Sequence, residues 1–126
     1  MKQERIDRLL RQAFDAEAKG DIGEAILLFK EASRLGSNDA RSKLGTIYDD
    51  VLEPRDTSKA VYWYKRGVMG GDSGCAWNMA MHYAGIGRRR WYLYWLKVAD
   101  TMGDPDAGTE LVSNEWWRKR NPAQGV

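Results

Sequence analysis

Residues 59–72 read KAVYWYKRGVMGGD, in which four large side chains in a row are followed by a basic pair and a glycine-rich break. Such a run of β-branched and aromatic residues is typical of a strand, but it is also compatible with a buried helix. Related stretches occur earlier and later in the chain, where Phe29, Tyr64 and Leu96 each precede a lysine at spacings of 35 and 32 residues. A period of this length is typical of stacked helical pairs and therefore favours helix for residues 59–72.

The preceding half of each unit carries a second recurring pattern, two bulky residues four positions apart, which lie on one face of a helix. Small residues, Gly45 and Ala80, stand beside two of these pairs, where a second helix can approach closely. Each unit is therefore predicted to contain helix A, a loop, helix B and a glycine turn. The bulky pairs are Leu10 and Phe14, Leu44 and Tyr48, and Met79 and Tyr83, and the turn glycines are Gly36, Gly71 and Gly103.

Over residues 39–107 these motifs resemble Sel-one-like repeats, the close relatives of tetratricopeptide repeats, and residues 4–38 look more like a tetratricopeptide unit. The resemblance implies an all-α fold, a right-handed superhelix of about three and a half antiparallel helix-turn-helix repeats. The chain departs from the family pattern in the loop at residues 48–56, which lacks the usual glycines, and at Tyr92, where the family has alanine. The matching residues are Ala40, Leu44, Gly45, Tyr48, Lys59, Ala60, Trp63, Tyr64, Lys65, Gly71, Cys75, Met79, Ala80, Tyr83, Gly85, Gly87, Trp95, Lys97, Ala99, Gly103 and Ala107.

We expect a single α-solenoid domain over residues 1–126. The polar and basic end of the chain suits the outer face of a capping helix, which Pro122 terminates. The predicted parts are repeat 1 at about 4–38, repeat 2 at about 39–73, repeat 3 at about 74–105, a capping helix at about 106–120 and a disordered tail at 121–126.

Composition restricts the class of protein. The 126 residues have the length of one modest domain, and 20 basic and 18 acidic residues leave a net charge of +2, too balanced to indicate nucleic acid by itself. The single Cys75 excludes an internal disulfide framework and a multi-cysteine metal site. The charged N-terminal stretch and the lack of a long apolar run predict a cytoplasmic protein without a membrane span.

The residues that could support catalysis have simpler structural interpretations. His82 is the one histidine and lies beside the core position Tyr83, so we interpret it as structural rather than as a general base. Cys75 occupies a small-residue position of the repeat and is predicted to be buried packing. The stretch GIGRRR, residues 85–90, lacks the lysine and the preceding strand of a phosphate loop. We therefore expect no enzymatic activity, cofactor or metal.

A partner-binding face follows from the tetratricopeptide geometry that the resemblance implies, in which helix A of each unit lines the concave side. Trp77 is the leading candidate for an anchor, because aromatic and methionine side chains supply contact area. For Trp116 and Trp117, sealing the end of the stack is an equal alternative. The predicted face comprises Arg5, Arg8, Gln12, Asp15, Asp39, Ser42, Thr46, Asp50, Trp77, Asn78, Met81, Trp116 and Trp117. The aromatic residues assigned to the inter-helix core are Tyr48, Trp63, Tyr64, Tyr83 and Trp95.

Two basic runs form a further candidate surface near Trp91 and Trp116. Together with these aromatic rings they could bind single-stranded nucleic acid, which is the alternative function. The same charges also suit a solvated surface or one that steers an acidic protein. The basic patch consists of Arg88, Arg89, Arg90, Arg118, Lys119 and Arg120.

The favoured function is a non-enzymatic scaffold that binds one cognate protein or peptide on a rigid, pre-formed surface. Solitary Sel-one-like proteins of this size look like bacterial accessory proteins, so the resemblance implies an adaptor or chaperone, or an immunity protein that neutralises a toxin. Nothing in the residues separates these two roles. We expect a monomer or a weak homodimer, the latter through Trp116 and Trp117.

Overall fold

The structure, a computed structural model, describes residues 1–124, and within these residues it contains helices and turns but no strand. The prediction of an all-α fold is confirmed for this part of the chain. The α-helices are α1 (Lys2–Ala18), α2 (Ile22–Arg34), α3 (Asn38–Thr46), α4 (Thr57–Met69), α5 (Ser73–Gly85), α6 (Arg89–Thr101), α7 (Ala107–Ser113) and α8 (Glu115–Arg120). A π-helical turn, Ile47–Val51, continues α3, and Pro122–Gln124 form a 3-10 turn.

The glycine turns between units adopt the backbone conformation that their sequence predicts. Gly36, Gly71 and Gly103 have φ angles of 106°, 91° and 95°, a left-handed region that side chains other than glycine rarely adopt. The next residue in the first two turns caps the following helix: the Ser37 hydroxyl accepts the Ala40 N–H at 3.1 Å, and the Asp72 carboxylate accepts the Gly74 N–H at 2.8 Å. The repeated turn thus ends one helix and starts the next.

The chain divides into two compact units, and the first comprises Met1–Arg66. Its core lies between α1 and α2 and along α3, and small side chains allow the helices to pack closely. Gly45 illustrates this packing, because a Cβ atom at this position would lie 2.3 Å from the ring of Tyr64. The close approach predicted at Gly45 is therefore present. The fully buried residues of this unit include Ala13, Ala25, Phe29, Ala32, Ala40, Leu44, Ile47 and Ala60.

The second unit begins at Gly67 and is built on the helical hairpin of α5 and α6. Alanines recur every four residues on the face of α5 that packs in the core, so α6 can approach it closely. Larger side chains from α6 and α8 fill the remaining space. The buried cluster consists of Ala76, Ala80, Ala84, Tyr92, Leu96, Ala99, Ala107 and Trp117.

The predicted capping helix at 106–120 is two short helices, α7 and α8, separated by Asn114. Asn114 has a φ of 53°, a left-handed conformation that asparagine tolerates better than most residues. The break redirects the chain so that Trp117 packs against Tyr92, with ring centroids 5.3 Å apart.

The predicted tail begins with Asn121, whose side-chain amide donates to the carbonyl oxygens of Ala84 at 2.9 Å and Trp117 at 3.2 Å. It continues into the 3-10 turn Pro122–Gln124, and its last two residues, 125 and 126, lie outside the described residues.

Candidate functional site

The predicted α1 residues share one helix face, and that face borders α2. Arg5 pairs with Glu31 of α2 at 3.3 Å. Gln12 and Asp15 line a shallow hollow at the turn between α1 and α2. Arg8 lies on the same side and is exposed to solvent.

Other side chains make the contacts between α1 and α3. The Lys43 ammonium lies 3.0 Å from the Glu17 carboxylate and 5.7 Å from the centroid of the Phe14 ring. The rotation of α1 is fixed by its buried residues, Ile6 and Ala13, which had not been used to set the predicted register. The face of α1 that adjoins α3 is therefore not the predicted one.

The predicted α3 set is divided between surface and packing. Asp39 and Asp50 are exposed. Thr46 is half-buried, and its hydroxyl donates to the Ser42 carbonyl oxygen at 3.1 Å and lies 3.4 Å from the Tyr64 hydroxyl. Thr46 therefore contributes to the contact between α3 and α4.

The three tryptophans predicted as partner contacts differ in burial. Trp77 is half-buried and packs against the core of the second unit, as does Met81, and Asn78 beside it is also half-buried. Trp116 is 41% exposed, and its ring meets Trp77 edge-on with centroids 6.5 Å apart. Trp117 is fully buried, so its assignment to a partner-binding face is wrong and it seals the core instead.

The fold brings the two basic runs to one end of the second unit. Asn121, which follows the second run, donates to the carbonyl oxygen of Ala84 near the end of α5, and the first run begins after the next turn. The guanidinium carbon of Arg89 lies 5.3 Å from the ring centroid of Trp117 within the second run. We call the exposed members of the two runs the basic end; they are Arg88, Arg90, Arg118, Lys119 and Arg120.

Two arginines of the basic end lie over exposed tryptophans. The guanidinium carbon of Arg120 is 4.3 Å from the ring centroid of Trp116, and that of Arg90 is 5.9 Å from Trp91. Stacking of this kind is attractive electrostatically and limits the motion of a long side chain. The arginine head groups are therefore held in place before any partner arrives.

An exposed aromatic strip on α6 adjoins Arg90 and was missed in the sequence. Trp91 is 46% exposed and Tyr94 is 51% exposed, and their rings meet edge-on at 5.8 Å. Tyr83 of α5 supports Trp91 from behind at 6.2 Å. The i, i+3 spacing of Trp91 and Tyr94 was a usable signal, because it places both on one side of a helix.

A buried polar cluster holds α7 and α8 to α6. The Tyr92 hydroxyl donates to Glu110 at 2.5 Å, and the same carboxylate oxygen accepts the Trp116 backbone N–H at 2.9 Å. Burial, followed by the hydrogen bond to Glu110 and its charge, raises the pKa of Tyr92, and nearby Arg89 opposes the shift. Tyr92 is the position where the chain departs from the family alanine, so this departure marked the cluster.

The raised pKa of Tyr92 predicts a loss of stability in alkali. The protonated phenol is favoured in the folded chain, so its contribution is fully present below about pH 10, the unfolded value, and falls as the pH rises further. We expect a steeper decline for the wild type than for Tyr92→Phe, by about 1.4 kcal/mol per pH unit above about pH 10. Urea unfolding at a series of alkaline pH values measures both slopes, and equal slopes would contradict the assignment.

The residues considered for chemistry are buried. Cys75 is fully buried, as predicted, and His82 is 3% exposed with its ring edge-on to Tyr83 at 5.1 Å. Among the residues that the structure describes, histidine, cysteine and acidic side chains form no group of three or more that could hold a metal ion. None of the helices described here combines the length and the apolar character that crossing a membrane requires.

Comparisons of this chain with protein-family models, with curated proteins and with solved structures return no match. Any function must therefore be argued from the residues and from the surfaces described above.

Proposed function

We propose that this protein is a non-enzymatic interaction scaffold of the Sel-one-like and tetratricopeptide kind, which binds one cognate protein. The observation that carries the proposal is the exposure of large aromatic side chains, Trp91, Tyr94 and Trp116, on helices of the second unit. Exposed aromatic residues in clusters are typical of sites that bind proteins, since they supply much contact area and lose little conformational freedom.

The repeated sequence supports the scaffold interpretation independently. Turn glycines with left-handed backbone recur at Gly36, Gly71 and Gly103, and each precedes the start of another helix. Helix pairs joined in this way tolerate changes of surface residues without changes of fold, which suits presentation of a binding surface. A right-handed superhelix remains part of this proposal.

The biological role that we propose is that of a bacterial adaptor or chaperone, or of an immunity protein directed at a toxin. Both roles require a dedicated partner and a surface that is formed before binding. The neighbouring genes separate them, because an immunity protein is encoded beside its toxin.

A second candidate function is the binding of single-stranded nucleic acid. It is favoured by the meeting of two basic runs, 28 residues apart in sequence, at one end of the second unit. Basic side chains interleaved with aromatic rings are the usual means of binding unpaired bases and phosphates.

Affinity capture from the native lysate, with and without nuclease, separates the two functions. The scaffold proposal predicts one stoichiometric protein, identified by mass spectrometry, that survives nuclease and moderate salt. Capture that disappears after nuclease treatment would favour nucleic acid and contradict the scaffold proposal.

A further inference from the structure

We infer that the basic end of the second unit binds an acidic segment of the partner protein, with an apolar residue of that segment placed against Trp91 and Tyr94. This inference rests on the proposed scaffold function and specifies the chemistry of its partner. It assigns a binding role to Arg90 and Arg120 in particular.

Charge in the second unit is segregated between its two ends. Asp72 precedes α5, and Asp100, Asp104 and Asp106 lie at the end of α6 and in the turn after it. The 13 residues of α5 separate that end from the basic end by about 20 Å, more than the screening distance at physiological salt. The acidic residues at the far end therefore do little to neutralise the basic end.

Local acidic residues neutralise only part of the basic end. Glu115 pairs with Lys119 at 3.1 Å, and Glu110 is buried and accepts hydrogen bonds from Tyr92 and Trp116. Among the described contacts, no acidic side chain pairs with Arg90 or Arg120. Their charge is available to a partner of opposite sign, which is the complementarity that steers association.

The stacked arginines are oriented for carboxylates. A guanidinium that lies over an aromatic ring keeps its N–H groups in its own plane, directed outward past the ring edge. Carboxylates bind such an edge with two parallel hydrogen bonds, and these charged bonds are stronger than neutral ones. Because Trp116 and Trp91 already hold Arg120 and Arg90, less conformational entropy is lost on binding.

The same stacking disfavours nucleic acid at this surface. Unpaired bases bind by stacking on open aromatic faces. Arg120 lies 4.3 Å from the ring centroid of Trp116 and Trp77 meets that ring edge-on, so the Trp116 ring is already engaged. The basic residues are also confined to one end of the unit, whereas a nucleic-acid strand requires a charged track along its backbone.

Fluorescence anisotropy at low salt tests the inference on the full chain. The probes are a labelled peptide of alternating aspartate and leucine, its asparagine counterpart and an oligothymidylate. We expect the acidic peptide to bind about tenfold or more tightly than the asparagine peptide. We expect Arg90→Gln with Arg120→Gln to weaken binding of the acidic peptide by a similar factor.

The matched control is Arg11→Gln with Lys30→Gln, two exposed positions in the first unit that remove the same net charge. Circular dichroism verifies the fold of both double variants, and the comparison of the two peptides on the wild type needs no variant. Equal binding of the two peptides, or equal weakening by the two double variants, would overturn the inference. Tighter binding of oligothymidylate than of the acidic peptide would also overturn it.

Failure of the inference and failure of the proposed function give different results. If the acidic peptide does not bind but the wild type captures a nuclease-resistant partner protein, the scaffold function stands and the basic end is not its surface. If neither occurs, the scaffold function itself is contradicted.

Discussion

Replacing Gly45 by alanine is expected to lower the free energy of unfolding by about 1–3 kcal/mol, the usual range for an overpacked core. The new Cβ atom would lie 2.3 Å from one atom of the Tyr64 ring and 2.4 Å from a second. Tyr64 is 3% exposed, so its ring has little space into which it can move. Helix α3 or α4 must therefore shift, and urea unfolding measures the resulting loss.

Gly23→Ala is the matched control for this change. Gly23 lies inside α2, is exposed and has no atom within 4 Å of a built Cβ. Alanine is the better helix former, so this variant should be unchanged or more stable by up to about 1 kcal/mol. A Gly45→Ala variant as stable as the wild type, beside this control, would show that α3 and α4 do not approach as described.

Truncating Trp117 to alanine is expected to destabilise the chain by about 3–5 kcal/mol, because it empties a large buried site. Trp117 is fully buried, and its ring packs against Tyr92 and under Arg89. The loss of the indole leaves a cavity at the point where α8 meets the core of the second unit. Thermal or urea unfolding measures the loss.

The adjacent Trp116 provides the comparison. It is 41% exposed, so Trp116→Ala transfers less apolar surface to water and leaves no enclosed cavity. We expect a clearly smaller loss of stability than for Trp117→Ala. The opposite order would show that the break at Asn114 has been assigned the wrong helical phase.

The features that could be predicted from the sequence are those that depend on local conformation. Turn glycines such as Gly71, and the small residue Gly45 beside a bulky pair, were predicted from the repeat and occur as expected. Each has one dominant physical cause, either a left-handed backbone or close contact between helices. The period of the repeat also resolved the ambiguous run at residues 59–72, which lies mostly in α4.

The features that could not be predicted depend on how elements pack. The rotation of α1, which directs Arg5 toward Glu31, follows from buried contacts between helices rather than from helical periodicity alone. The burial of Trp117 depends on a single left-handed residue, Asn114, that propensity does not identify in advance. The meeting of the two basic runs depends on the contact between Asn121 and Ala84.

Capture from a nuclease-treated native lysate, with three tagged proteins side by side, tests the central claim that a protein binds at the basic end. The three are the wild type, Arg90→Gln with Arg120→Gln, and Arg11→Gln with Lys30→Gln. We predict that one protein is captured by the wild type and by the first-unit variant, and that the basic-end variant loses it. Equal capture of that protein by all three would contradict the assignment of the surface, and capture of no protein by the wild type would contradict the scaffold function.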